Sequence, residues 1–202
     1  PEASPHNTAL FMVVKKGSNQ PRYVQDFRPT NSVSENDRYS CRDVRESLVA
    51  VGKTCPRIFS CCDLSGAFWQ IGLSPSSRPF SAFTWPYRAN KYIWARCPQG
   101  LKGASSSFSR LMQLIFRDFP PNVVTYVDDL IAATRDHPSM LSLLDTIFAE
   151  MRHHGLQTNL KKCKFGNTDI TWLGYKLSEK GIAPDDLKVE YIKQLPLPTS
   201  AK

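Results

Sequence analysis

Apolar residues fall in short runs whose spacing changes along the chain, and each change predicts an element. Leu10–Val14 is an apolar strand and residues 23–28 alternate as its partner. Between them Lys15-Lys16-Gly17-Ser18-Asn19-Gln20-Pro21-Arg22 is rich in breakers, so the two predict a hairpin. Residues 29–39 are polar and predict a loop, and Ser40 is placed to cap a helix over 41–51 that Gly52 closes. Residues 57–63 are almost wholly apolar and predict a buried strand ending on Asp63. A small turn over 64–68, a strand over 69–73 and an antiparallel pair over 80–85 and 91–96 follow. After a turn at 98–103, Phe108, Leu111, Met112, Ile115 and Phe119 line one face of a helix over 104–119, which Pro120-Pro121 stops. Residues 138–154 predict a second amphipathic helix with Leu141, Leu144, Ile147, Phe148 and Met151 inward and Gly155 at its end. A strand over 156–159, a basic turn over 161–165 and a strand pair around Gly174 come next; 181–195 reads as a linker and a short helix. Strands and helices in this mixed order predict an α+β fold.

The run 123–134 carries candidate chemistry. Apolar and β-branched residues lead up to Asp128-Asp129 and resume after them, which predicts a hairpin with two carboxylates at its tip. Asp favours turns, so a solvated tip is one reading. A divalent cation such as Mg²⁺, which takes hard oxygen ligands, is the other. Asp63 ends a buried strand, where a carboxylate has to be hydrogen-bonded, paired or metal-bound. Lys15, Lys16 and Arg22 stand near the tip of the first hairpin. They can pair with phosphate oxygens, or stand as charged loop residues in water.

Composition narrows the partners. The 202 residues suffice for one large domain or two small lobes, and 41% hydrophobic residues suffice for a core. No run approaches the roughly 20 apolar residues of a membrane span, so no membrane partner is expected. The opening Pro-Glu-Ala-Ser-Pro-His has neither the basic start nor the apolar centre of a secretory signal. A net charge of +8 points to a polyanion, nucleic acid first, and sets the three aspartates in a basic frame. The six cysteines form no Cys-x-x-Cys and stand at no zinc-like spacing to the four histidines. They are expected as reduced, mostly buried thiols of an intracellular protein.

In this order the pieces resemble the fingers and palm of a reverse transcriptase from a retrovirus or an LTR retrotransposon, the gypsy type above all, over about residues 10–199. Five motifs carry the resemblance: Lys15-Lys16 through Arg22-Tyr23-Val24-Gln25-Asp26-Phe27-Arg28; Asp63-Leu64-Ser65-Gly66-Ala67-Phe68; Pro98-Gln99-Gly100-Leu101-Lys102-Gly103; Tyr126-Val127-Asp128-Asp129; and Leu160-Lys161-Lys162-Cys163-Lys164-Phe165 with Trp172-Leu173-Gly174-Tyr175. Each alone is common, but five in order are specific. Cys61-Cys62 and Ser105-Ser106-Ser107 depart from the commonest forms of these motifs.

The resemblance implies a right-hand polymerase fold, with an antiparallel palm sheet backed by helices. Fingers would span 1–35 and 71–103, palm 36–70 and 104–180, and 181–202 would start the connection to a thumb. The chain would be part of a longer polyprotein, without thumb or RNase H. The implied activity is RNA-directed DNA synthesis with two Mg²⁺ ions, Mn²⁺ also serving. Asp63 and Asp128 would bridge the ions and Asp129 would assist. Lys15 and Arg22 would contact the incoming triphosphate, and Gln99 and Gly100 would line the nucleotide pocket. Phe68 would exclude a 2′-hydroxyl. Tyr126, Trp172, Leu173 and Gly174 would contact primer and template. The implied partners are an RNA or DNA template-primer and dNTP, in the cytoplasm (in a retroelement particle) or the nucleus. The alternative is a domesticated or truncated module that binds nucleic acid without extending it. A metal-dependent nuclease is disfavoured by Gln99-Gly100 and the basic hairpin, and an RNA-dependent RNA polymerase by Phe68.

Overall fold

Asp63 and Asp129 both sit on one four-stranded sheet of the computed structural model, with Asp128 in the adjoining turn; the model describes residues 4–14, 21–37, 39, 43–85 and 90–195. The chain divides into two units, Pro1–Cys41 with Ser65–Leu114 and Arg42–Leu64 with Ile115–Lys202. The first unit thus takes in residues 36–41, 65–70 and 104–114, which the expected division assigned to the palm.

In the first unit, β1 (Leu10–Val14) pairs antiparallel with β2 (Pro21–Gln25), from Leu10 opposite Gln25 to Val14 opposite Pro21. The second strand stops three residues short of the expected end. Asp26 and Phe27 lead instead into a short helix α1 (Arg28–Val33), with Pro29 in its first turn, where a missing N–H costs nothing. The expected loop over 29–39 therefore starts as a helix. Gln25 is buried and ties separate segments together. Its amide donates to Thr8 Oγ1 (2.5 Å) and to the Ser81 carbonyl (3.0 Å), and its oxygen accepts from the Trp94 indole (2.6 Å). Trp94 in turn stacks on Phe83 (4.9 Å) and meets Trp69 edge-on (4.7 Å).

The expected strand over 69–73 is a 3-10 turn, Ala67–Gln70, entered through Gly66 at φ 56°. Only a single bridge, Gly72 to Arg96, remains of that strand. The expected pair over 80–85 and 91–96 shrinks to β4 (Phe83–Thr84) against β5 (Lys91–Tyr92), preceded by a 3-10 turn at Arg78–Ser81. Helix α3 (Ala104–Ile115) ends a turn earlier than residue 119.

In the second unit the helix α2 (Val44–Gly52) is capped by Asp43, not Ser40, which with Cys41 lies outside the described residues. The Asp43 carboxylate accepts from the backbone N–H of Arg45 (2.6 Å) and Glu46 (3.3 Å). The main sheet runs in the order β6 (Val123–Tyr126), β7 (Asp129–Thr134), β3 (Ile58–Asp63), β8 (Lys164–Asn167), all antiparallel. Strand β3 is thus central, which is why its sequence lacks the alternation of a half-exposed strand. On β7, Ile131 and Ala133 join Leu48 and Val51 of α2, Phe59 and Val124 in one buried cluster. Leu130 and Ala132 alternate to the other face and are equally buried. Helix α4 (His137–His153), capped by Asp136, packs on β7 and β3. Its buried residues are Met140, Leu144, Ile147 and Met151; Leu141, expected inward, is exposed, and Phe148 is half-buried.

The expected strand over 156–159 is a single bridge between Leu64 and Thr158, and Lys164 already belongs to β8 instead of a turn. A second sheet follows: β9 (Asp169–Trp172), β10 (Tyr175–Ser178) and β11 (Gly181–Pro184), then α5 (Asp186–Lys193). Strand β11 was expected as linker; it is exposed along its length, so no burial pattern marks it. Burial sorts the cysteines: Cys62 and Cys97 are buried, Cys61 and Cys163 half-buried, and Cys55 is exposed, against the expected mostly buried set. All five are free thiols. No helix among the described residues is long and apolar enough to cross a membrane.

Candidate active site

The strand register brings the acids together. Asp63, the last residue of β3, lies directly opposite Asp129, the first of β7. Directly opposed residues on neighbouring antiparallel strands hold their Cβ atoms about 5 Å apart. Tyr126 pairs with Asp129 across the other hairpin, leaving Val127 and Asp128 as a two-residue turn. The Leu64 N–H donates to the Asp128 carbonyl (3.2 Å), which fastens the turn to the end of β3. Val127 holds φ 52°, a left-handed backbone that a β-branched side chain disfavours.

The neighbouring acids act on Asp129. Burial first, then the charges of Asp128 and Asp63, push the Asp129 carboxyl up to about 6, while Lys162 opposes the shift. Asp63 has a counter-ion: the Lys162 ammonium donates to Oδ1 (3.0 Å) and Oδ2 (3.1 Å). The turn that carries Lys162 hangs from the same residue. Asn159 N–H donates to the Asp63 carbonyl (2.8 Å), and the Asn159 carbonyl accepts from the N–H of Lys162 (2.9 Å) and Cys163 (3.2 Å). Lys162 lies in a basic motif of the sequence, but nothing there tells which of three neighbouring lysines meets Asp63.

No three His, Cys, Asp or Glu side chains among the described residues stand as a ready ligand set, and Asp63 faces Lys162. The donor chemistry nevertheless fits a hard divalent cation. Three carboxylates share two adjacent strand ends, and the repulsion that Asp128 and Asp63 exert on Asp129 is what a cation would relieve.

The second sheet supplies another two-residue turn in the same unit. Trp172 pairs with Tyr175, and Leu173 and Gly174 turn between them at φ 49° and 77°. The Trp172 ring is buried in the core, and its indole N–H has no hydrogen-bond partner among the described residues. Tyr126 and Leu173 are half-buried against the same core.

The residues expected at the nucleotide lie in the first unit, except Lys15, which lies outside the described residues. Arg22 is exposed on β2 opposite Val13. Phe68 is half-buried in its 3-10 turn and meets Phe108 edge-on (6.0 Å). Gln99 and Gly100 are exposed, and Gly100 takes φ 94°. What holds that turn is not marked in the sequence. Asn31 of α1 donates to the Gly100 carbonyl (2.9 Å) and accepts from the Lys102 N–H (2.8 Å). The Lys102 ammonium donates to the carbonyls of Asn31 (3.2 Å) and Ser34 (2.5 Å). No local signal marks Asn31, since its partners lie some 70 residues away.

An acidic hairpin beside a central strand that ends in a third acid, within an α+β fold, is the arrangement of a nucleic-acid polymerase palm. The family model described as "Reverse transcriptase (RNA-dependent DNA polymerase)" matches residues 13–177, and the chain belongs to that family. It is 34% identical over 207 residues to the retrovirus-related Pol polyprotein from transposon opus of Drosophila melanogaster, covering 100% of this chain and 20% of that polyprotein. The transposon 412 polyprotein of the same organism is also 34% identical, over 100% of this chain and 16% of its own length. The enzymatic polyprotein of cauliflower mosaic virus (strain NY8153) is 32% identical over 97% of this chain and 29% of its length. The chain therefore spans less than a third of these relatives. Among solved structures, the foamy viral protease-reverse transcriptase in complex with dsDNA superposes with a TM-score of 0.83 at 24% identity, over 98% of this chain and 40% of that one. The same viral protein in complex with RNA/DNA hybrid superposes at 0.80 and 23%, over 98% of this chain and 26% of that one. These two likenesses establish the fold.

Proposed function

We propose that the chain is the catalytic core of an RNA-directed DNA polymerase, adding dNTP to a primer 3′-hydroxyl on an RNA or DNA template. The observation that carries this reading is the register of Asp63 opposite Asp129 with Asp128 in the adjoining turn, in a chain of the reverse transcriptase family. The second unit would be the palm and the first the fingers. The solved relatives bound to dsDNA and RNA/DNA hybrid support a template-primer partner.

Asp63 and Asp128 would hold two divalent cations, with Asp129 assisting; Mg²⁺ suits the oxygen donors and Mn²⁺ can replace it. Bound there, the cations would lower the pKa of the primer 3′-hydroxyl and neutralise the triphosphate and its leaving pyrophosphate. Lys162 would then give up its pair with Asp63 and stay close as a cation. Lys15 and Arg22 would hold phosphate oxygens, and Gln99 and Gly100 would form the nucleotide pocket, with Asn31 fixing the turn. Phe68, five residues after Asp63, would select against a 2′-hydroxyl.

Primer extension with dNTP and Mg²⁺ on a primed RNA template tests the reading, using this chain and the chain lengthened through the segment that follows it in its relatives. Extension lost on Asp63→Asn supports it; silence of both lengths, or extension that survives Asp63→Asn, overturns it. One observation favours a second reading, a module that binds nucleic acid without extending it: the Lys162–Asp63 pair neutralises the acid with no metal. Primed template bound by both lengths without extension would favour that module.

A further inference from the structure

The turn that carries Lys162 also carries a thiol, and that thiol meets a second one on the neighbouring strand. Between β3 and β8, Cys61 lies opposite Lys164, so one step further along this register Cys62 comes opposite Cys163. Directly opposed residues on antiparallel strands have Cα atoms about 5 Å apart, inside the roughly 4.4–6.8 Å that a disulfide spans. The two side chains are in hydrogen-bond contact. The Cys163 thiol also reaches the carbonyls of Asn159 (3.3 Å) and Asp63 (4.0 Å). Both cysteines are free; Cys62 is buried and Cys163 half-buried.

Cys62 and Cys163 directly adjoin Asp63 and Lys162, which form the ion pair of the acidic site. A bond between the two thiols would therefore fasten the backbone on which the ion pair stands. Lys162 could then leave Asp63 only by rotating its own side chain, because the turn could no longer draw back with it. Cys61 alternates to the other face of β3 and is poorly placed to compete.

We propose that Cys62 and Cys163 are a redox-sensitive pair, whose disulfide holds the Lys162 turn on Asp63 and weakens the acidic site for a divalent cation. The effect on the cation rests on the reading of that site given under the proposed function; the disulfide itself does not. The oxidant is a small-molecule disulfide. The thiolate of Cys163, the more exposed of the two, attacks one of its sulfurs, forms a mixed disulfide and expels one thiolate, which takes up a proton. The Cys62 thiolate then attacks Cys163 Sγ and expels the second. The pair loses two electrons and two protons, the oxidant leaves as two thiols, and a thiol reductant reverses the exchange.

The test uses the chain with Cys55→Ser, which removes the exposed thiol, equilibrated with glutathione and glutathione disulfide at a series of ratios. Free thiols are then alkylated and cross-linked peptides mapped by mass spectrometry. After removal of glutathione, Mn²⁺ is titrated into the oxidised and the reduced chain and free ion is followed by electron paramagnetic resonance. A Cys62–Cys163 peptide should appear at oxidising ratios, with the Mn²⁺ dissociation constant raised on the order of tenfold, and dithiothreitol should reverse both. By linkage, saturating Mn²⁺ should disfavour the disulfide by the same factor. Cys163→Ser should form no cross-link and keep the reduced chain's affinity at every ratio. Absence of the Cys62–Cys163 peptide at all ratios, or Cys163 joined to Cys61 instead, overturns the proposal and leaves the polymerase reading intact. A cross-link that leaves the dissociation constant unchanged overturns the lock. A reduced chain that binds no Mn²⁺ overturns the cation reading and the lock together, while the peptide map still decides whether the thiols pair.

Discussion

The turns at Val127-Asp128 and Leu173-Gly174 each join two strands that close on a directly opposed pair, Tyr126 with Asp129 and Trp172 with Tyr175. At Leu173-Gly174 both residues are left-handed, glycine holds the more demanding position, and Asp185 and Lys188 cover the tip. At Val127-Asp128 a β-branched residue takes the left-handed conformation and two carboxylates stand side by side. Local preference suits the Leu173-Gly174 turn at its glycine, though Leu173 is left-handed too. The Val127-Asp128 turn has no glycine and is held by its strands, one of them against the buried centre of the sheet. Strain and repulsion thus concentrate where the chemistry is proposed, a pattern that persists only when the surroundings over-determine it.

The largest difference between the turns should be in catalysis. Asp128→Ala should lower primer extension more than roughly a hundredfold, several kcal/mol of charge stabilisation, while Gly174→Ala should cost less than tenfold. Equal losses in the two would erase the distinction.

Stability should order them the other way. Gly174→Ala forces a Cβ into left-handed backbone and displaces Lys188, so the urea midpoint should fall by the equivalent of about 1–2 kcal/mol. Val127→Gly should instead raise stability, by about 0.5 kcal/mol, the relieved strain less the entropy that glycine loses on folding. A drop there would mean that the valine side chain contributes more by packing than its backbone costs.

The pH dependence sharpens the acidic turn alone. The Asp129 carboxyl titrates near 6 when folded, against an ordinary 3.8. Between those values the folded chain holds more protons than the unfolded one. This group's contribution to stability therefore rises as pH falls from about 6 toward 4, and it is lost as pH rises through 6. Urea midpoints across that window should show the slope, and Asp129→Asn should flatten it. A parent-like slope in Asp129→Asn would assign the effect to another group.

Much of the palm-like sheet was legible because two of its strands, β3 and β7, are central: residues 57–63 and 129–134 carry apolar runs that a buried strand explains. The acids were legible because each ends or interrupts such a run. Elements that lean on distant partners were not. The 3-10 turn at Ala67–Gln70 follows the left-handed Gly66, and β11 is an exposed edge with no burial to mark it. Helix α2 starts after Asp43 instead of the expected Ser40, because the Asp43 carboxylate reaches two backbone N–H groups. Lys162 and Asn31 act through contacts made only by the folded chain.

Whether the acidic turn is a cation site is tested most directly by titrating Mn²⁺ into the chain and following free ion by electron paramagnetic resonance. Saturable binding is expected, abolished by Asp128→Ala and by Asp63→Asn and left intact by Gly174→Ala. Binding that survives both aspartate substitutions, or that falls equally in Gly174→Ala, would contradict it.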